Sequence, residues 1–148
     1  MLEINNQILD ISELNSFALN FCNDLKVGDI ILLKGDLGVG KTTISRFIIN
    51  GLHLIKKIKE PSVINSPTFP ILLTYDLNGF EIYHYDLYRI KSIKELEEIE
   101  FYENIKNSIT LIEWPELLLN SKFKQKHYLI NLDLHSETKR FINIKYFK

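Results

Sequence analysis

The sequence predicts an α/β fold in which one mixed, mostly parallel central sheet is flanked by helices and carries antiparallel hairpins. Three observations lead there. Two short apolar runs, Ile30-Ile31-Leu32-Leu33 and Ile109-Thr110-Leu111-Ile112, suit strands covered on both faces and are separated by segments of helical periodicity. A glycine-containing loop joins the first run directly to a helical segment. Asn78-Gly79, a dipeptide that accepts the positive φ angles of a tight turn, lies between two β-rich runs.

In chain order, Ser12 is the expected cap of a first helix, whose apolar residues Leu14, Phe17, Ala18, Phe21, Cys22 and Leu25 share one face. Gly28 and Asp29 punctuate before the central strand Ile30 to Leu33. From Thr42 to about Leu54 a second helix turns Ile44, Phe47, Ile48, Gly51 and Leu52 inward. Lys56 to Pro70, with three prolines, reads as an exposed connection with room for one short strand. Leu72 to Asp76 and Phe80 to Asp86 form the expected hairpin. Ser92 caps a short acidic helix to about Glu100, and the second buried strand ends at Glu113. Tyr128 to Leu134 and Arg140 to Tyr146 alternate as two further strands joined through Ser136-Glu137-Thr138. With 148 residues, 45% of them hydrophobic and 25% charged, the chain suits a single domain over 1–148 that buries about two-thirds of its unfolded surface.

Gly35-Asp36-Leu37-Gly38-Val39-Gly40-Lys41-Thr42 is the most informative segment. It matches glycine, four residues, glycine, lysine, then serine or threonine, placed between an apolar strand and an amphipathic helix. Glycines let the backbone wrap closely around a phosphate chain so that successive N–H groups point at its oxygens. Lys41 can reach the β- and γ-phosphates, Thr42 can ligate Mg²⁺, and the new helix directs its positive dipole end at the same anion. The expected architecture is therefore a P-loop NTPase-like domain that binds ATP and Mg²⁺.

Such a site needs a carboxylate near the magnesium, delivered from the end of a neighbouring strand. Glu113 and Asp86 both close strands. Glu113 could ligate magnesium directly or through water, and Asp86 could hold a magnesium-bound water or orient the attacking one. Ser66-Pro67-Thr68-Phe69 offers two hydroxyls to the γ-phosphate or to the metal's water shell, or is an ordinary proline turn. Trp114 reads by default as a core ring beside the site, with packing against a moving loop or partner as the alternative. Arg89 either faces phosphate or a partner, or pairs with the acidic stretch Glu95, Glu97, Glu98 and Glu100.

Composition narrows the rest. Eighteen Lys+Arg against nineteen Asp+Glu leave a net charge of −1, with no chain-wide attraction to nucleic acid or an anionic membrane. Neither an apolar run of transmembrane length nor a signal-like N-terminus is visible, so a cytoplasmic protein is expected. The single cysteine, Cys22, excludes an internal disulfide and is expected to be buried and inert. The four histidines, His53, His84, His127 and His135, suggest no metal site beyond magnesium. Lys122, Lys124 and Lys126 read as a solvated edge.

An ordered set of segments resembles the bacterial TsaE (YjeE) family, small P-loop ATPases of tRNA threonylcarbamoyladenosine biosynthesis. They are Gly35 to Thr43, Ser66-Pro67-Thr68-Phe69, Tyr83-His84-Tyr85-Asp86-Leu87-Tyr88-Arg89 and Ile112-Glu113-Trp114-Pro115-Glu116. The last two are much more particular to that family than the first. The resemblance implies an ATPase that supports, rather than performs, transfer of the threonylcarbamoyl group to adenosine in the anticodon loop of tRNA. Its partners would be TsaD and TsaB, with tRNA met only through their complex, and neither DNA nor membrane engaged. The resemblance also implies phosphate binding by Asp36, Leu37, Gly38, Val39, Gly40, Lys41, Thr42 and Thr43, magnesium at Thr42 and Glu113, and catalytic work by Lys41, Asp86 and Glu113. It raises the weight of Thr68 and Trp114, and places adenine near Ile11 and Arg140. Val39 stands where alanine is usual, and the segment around Arg140 lacks a frequent neighbouring glycine.

Two other functions compete. A small-molecule P-loop kinase would need several arginines over the phosphates, and the chain has only Arg46, Arg89 and Arg140. A regulatory module that binds but barely hydrolyses ATP would differ in its response to substitution of Asp86 or Glu113.

Overall fold

The computed structural model describes residues 4–148. Twelve elements follow in order. They are β1 (Ile4–Asp10), α1 (Ile11–Cys22), β2 (Ile30–Lys34), α2 (Lys41–Lys56), β3 (Leu72–Asp76), β4 (Glu81–Asp86), α3 (Ile93–Glu98), α4 (Phe101–Asn104), β5 (Ser108–Glu113), α5 (Glu116–Asn120), β6 (His127–Leu134) and β7 (Lys139–Phe147).

The seven strands form one sheet in the order β1-β7-β6-β2-β5-β4-β3. The four middle strands, β6, β2, β5 and β4, run parallel. Antiparallel pairs close both flanks, β3 on β4 at one side and β7 with β1 beyond β6 at the other. The expected mixed, mostly parallel sheet with hairpins is the observed one. Parallel neighbours need crossovers, and α2 and the α3–α4 segment supply helices along two of them.

Alternation within the strands divides the core. Ile31 and Leu33 of β2, Ile109 and Leu111 of β5 and Ile82 of β4 face α1 and α2, packing with Leu14, Phe21, Ile44 and Ile48. Ile30, Leu32, Tyr85 and Ile112 face the other way, against Leu96 of α3, Phe101 of α4 and Leu118 of α5. All six residues of β5 are buried, as its apolar run predicts.

Several boundaries differ from the sequence reading. The cap of α1 is Asp10, not Ser12: the Asp10 side chain accepts from Glu13 N at 2.9 Å while Glu13 accepts from Asp10 N at 2.8 Å, a reciprocal box that places Ser12 inside the first turn. β1 was not expected. Its polar interior and a register break between Ile4 and Gln7, with Asn6 at φ 46°, hide the period of two. No strand forms between residues 57 and 71, where the backbone turns at Pro67 to Pro70 instead. Ser92 does cap a helix, but α3 stops at Glu98 because Glu100 takes a left-handed conformation that starts α4.

Candidate functional site

The site lies at the carboxyl ends of β2, β5 and β4, where α2 begins. β2 ends at Lys34, and the loop Gly35 to Gly40 turns the chain onto the α1/α2 face of the sheet. Gly35 fits only as glycine, since a Cβ there would overlap the Leu132 carbonyl oxygen and lie 2.8 Å from Val39 Cγ1. Gly40 caps α2 with φ 115° and offers no side chain, leaving the first-turn N–H groups of the helix to be met by something else. Val39 is 3% exposed and points into the core, so its extra bulk over alanine stays away from the loop's open side. Leu37 is 88% exposed.

Lys41 opens the helix. Its Nζ donates to Gly35 O at 2.6 Å and Asp36 O at 2.9 Å and lies 3.7 Å from the centre of the Trp114 ring. Desolvation holds its pKa below the ordinary lysine value, while Glu113, Glu116, Asp86 and Asp36 favour its charge. One side of the ammonium is therefore committed to the loop and the other to an aromatic face.

Parallel pairing brings the two candidate carboxyls side by side, because Asp86 and Glu113 are register partners at the ends of β4 and β5. Both side chains point to the face on which α2 sits. Glu113 Oε2 accepts from Thr42 Oγ1 at 3.0 Å. With its hydrogen directed at Glu113, the Thr42 oxygen keeps its lone pairs for a cation. Asp86 has different partners: Oδ1 accepts from Tyr88 N at 2.9 Å and Oδ2 from Thr68 Oγ1 at 3.0 Å. Thr68 Oγ1 in turn lies 2.8 Å from Ser66 Oγ, and since Thr68 donates to Asp86, Ser66 donates to Thr68. The proline turn is thus tied to Asp86 by a directed chain of hydroxyls. Arg89 Nη1 donates to Phe69 O at 3.0 Å and fixes the same turn, rather than pairing with the acidic helix.

These groups line a cleft of about 210 Å³, bounded by Leu37, Gly38, Gly40, Lys41, Thr42, Thr43, Ser66, Thr68, Asp86, Glu113 and Trp114. A hydroxyl and a carboxylate oxygen beside each other, in a cleft with free helix N–H groups and a lysine, form a hard-oxygen donor set of the kind Mg²⁺ takes when it also holds phosphate. A second cavity of about 280 Å³ continues around the start of α2, sharing Gly40 and Thr43 with the first. Leu9, Ile11, Leu14 and Val39 give it apolar walls, and Asp10, Glu137, Thr138 and Arg140 its polar ones. Its size and lining suit a mostly apolar ring bearing a few polar atoms. Arg140 differs from expectation in what its donors do. Nε is bound to Val39 O at 2.6 Å and Nη1 to Ser136 O at 2.9 Å, so the guanidinium ties the β6–β7 hairpin to the glycine-rich loop.

Two residues are placed in ways the sequence reading missed. Trp114 is not a core ring. It takes φ 56° before a proline, and its partly buried indole covers Lys41 and packs on Tyr88 with centroids 4.9 Å apart. His84 is fully buried, with Nε2 2.8 Å from Glu113 Oε1. Period-two alternation places His84 on the same face as Asp86, but only the β4–β5 register reveals Glu113 as its partner. Among the described residues, no group of three or more His, Cys, Asp or Glu side chains is arranged to hold a metal, and no helix is long and apolar enough to cross a membrane.

Comparison with known proteins identifies the family and the fold. The family described as "Threonylcarbamoyl adenosine biosynthesis protein TsaE" matches residues 8–142. The tRNA threonylcarbamoyladenosine biosynthesis protein TsaE of Rickettsia felis is 41% identical over 97% of this chain and 78% of its own length. That of Aquifex aeolicus is 28% identical over 97% of this chain and 98% of its own. Among solved structures, Bacillus subtilis YdiB superposes with a TM-score of 0.72 at 23% identity, covering 100% of this chain and 89% of that one, which establishes likeness of fold.

Proposed function

The chain belongs to the TsaE family of tRNA threonylcarbamoyladenosine biosynthesis, and from that membership we propose that it is a magnesium-dependent ATPase whose nucleotide cycle serves the TsaD–TsaB complex without itself transferring the threonylcarbamoyl group. One observation carries the reading. The glycine-rich loop and the Thr42 hydroxyl face two carboxyl groups with separate hydrogen-bond partners, Glu113 on Thr42 and Asp86 on Thr68. One carboxyl can serve a metal while the other serves water.

The residues divide the work. Loop amides from Gly38 to Thr43 and the start of α2 hold the phosphate chain, and Lys41 exchanges the Gly35 and Asp36 carbonyls for phosphate oxygens. Thr42 and Glu113 hold Mg²⁺, which when bound would neutralise charge on the terminal phosphates. Asp86 takes a proton from the attacking water as its oxygen bonds to the γ-phosphorus and the bond to the β–γ bridging oxygen breaks. Thr68 and Ser66 fix the orientation of that carboxyl. The adenine occupies the apolar cavity between Ile11 and Arg140.

The arginines argue against a small-molecule kinase. Arg46 donates to Ile64 O at 2.7 Å, Arg89 to Phe69 O at 3.0 Å and Arg140 to Val39 O at 2.6 Å, so each is engaged with backbone rather than poised over a phosphate acceptor. The test is calorimetric titration of Mg-ATP into the wild type and Lys41→Ala, followed by tRNA modification assays with TsaD and TsaB. The reading expects binding in the wild type, its loss in the variant, and ATP-dependent modification that fails with the variant. Modification independent of this chain and of ATP would refute it, and a phosphorylated metabolite formed without partners would favour the kinase.

A further inference from the structure

The Glu113 carboxyl has two oxygens with different surroundings. Oε2 faces Thr42, while Oε1 has two neighbouring groups, His84 Nε2 at 2.8 Å and Ser45 Oγ at 3.3 Å. Ser45 has a single hydroxyl hydrogen and a nearer acceptor in the Lys41 carbonyl, 3.0 Å away along the helix. If that hydrogen satisfies the helix, His84 is the dedicated donor to Oε1.

His84 is an unusual choice for packing alone. Its side chain is 0% exposed, and Nδ1 is buried with no hydrogen-bond partner among the described residues. An apolar residue would fill the space without leaving that nitrogen unpaired. What the ring offers against that cost is the bond that Nε2 makes. Because a carboxylate oxygen only accepts, Nε2 carries a hydrogen, an assignment that follows from the bonding network.

We infer that His84 is a positioning residue for the magnesium site. By holding Glu113 Oε1 from beneath, it fixes the carboxyl plane so that Oε2 stays beside the Thr42 hydroxyl and faces the cleft. The inference rests on the proposal that Glu113 serves magnesium. It adds that the carboxylate does so through one oxygen, the other being occupied by the imidazole. Outer-shell donors of this kind typically alter metal affinity by about 10- to 100-fold when removed.

The test is the ratio of nucleotide affinities with excess Mg²⁺ and with EDTA, measured by calorimetry with a non-hydrolysable ATP analogue, so that no turnover enters. A residue with a merely structural role would shift both affinities together and leave their ratio unchanged. Three substitutions separate reach from polarity. The amide nitrogen of glutamine overlays imidazole Nε2, that of asparagine overlays Nδ1, and leucine has neither. The expected result is a ratio lowered about 10- to 100-fold in His84→Leu and His84→Asn but kept within about threefold of wild type in His84→Gln, with EDTA affinities alike in all. An unchanged ratio in His84→Leu overturns the inference, as does a His84→Gln ratio as low as that of His84→Leu. Where the leucine variant does not fold, equal ratios in the asparagine and glutamine variants overturn it instead. Glu113→Gln separates the two claims. A ratio lost there but kept in His84→Leu defeats the positioning role alone, and a ratio kept in Glu113→Gln defeats the magnesium proposal and the inference together.

Discussion

Asp86→Asn separates chemistry from architecture, because the surrounding bonds dictate how an amide must sit. Tyr88 N can only donate, so the amide oxygen must take the place of Oδ1, 2.9 Å away. The amide nitrogen then faces Thr68 Oγ1, 3.0 Å from the present Oδ2, where two donors would meet. Thr68 can resolve this by turning its hydroxyl to donate to Ser66 Oγ at 2.8 Å, and Ser66, which is partly exposed, turns towards solvent. The chain of hydroxyls reverses with each buried group still paired, so the change costs less than about 1 kcal/mol and moves Tm by under about 4 °C. What disappears is the proton acceptor. A general base is worth about 10²- to 10⁴-fold, or about 3 to 5 kcal/mol of barrier, and turnover should fall by that factor while Mg-ATP affinity stays within about threefold. Asp86→Ala is the informative comparison. It strands Tyr88 N–H, which has no second acceptor at hand, whereas Thr68 can still turn to Ser66; the cost is about 1–3 kcal/mol and up to about 10 °C of Tm, for a similar loss of turnover. Phosphate release in the presence of TsaD and TsaB, calorimetry and thermal melts would measure the three quantities. Hydrolysis at the wild-type rate in Asp86→Asn refutes the assignment of Asp86 as base. A melting loss as large as that of Asp86→Ala refutes the reversal of the hydroxyl chain.

Gly35→Ala places a methyl against the Leu132 carbonyl and 2.8 Å from Val39 Cγ1, so the strand-to-loop junction must shift. The expected cost is about 1–3 kcal/mol of stability in urea unfolding, together with loss of nucleotide binding by calorimetry. Cys22 gives a pH dependence. Its thiol donates to Ile48 O at 3.3 Å, and burial pushes its pKa from 9.0 up to about 12. Because the unfolded thiol ionises first, this contribution is complete below pH 9 and is lost as pH rises towards 12. By pH 10.5 it amounts to about 2 kcal/mol, so in reducing buffer Cys22→Ala should lose about that much less stability than wild type between pH 8 and 10.5. Equal alkaline losses in the two proteins would remove the thiol from the account.

Local chemistry made much of the fold legible. The apolar runs of β2 and β5 needed no context, and Asn78-Gly79 and Ser92 announced a turn and a cap through their own backbone preferences. Gly35 to Thr42 placed the cleft because its residue types suit one task. What stayed hidden depends on partners distant in sequence. Asp10 and Ser12 are both competent caps, and the reciprocal bond with Glu13 decides between them. Arg140 is expected beside the adenine, and nothing local shows that the hairpin binds its guanidinium to Val39 O, 101 residues away. His84 reads as one of four unremarkable histidines until parallel pairing sets it beneath Glu113. Trp114 is apolar enough for a core, and its place over Lys41 and against Tyr88 shows only once the loop and the strand ends are brought together.

Trp114 is the chain's sole tryptophan, and an ammonium rests 3.7 Å from the centre of its ring. Indole emission responds to nearby charge, so withdrawal of the lysine towards an anion would register as a change in fluorescence. The molecule thereby contains its own optical reporter of events in the cleft, free of any attached dye and without competing indole signal from elsewhere in the chain.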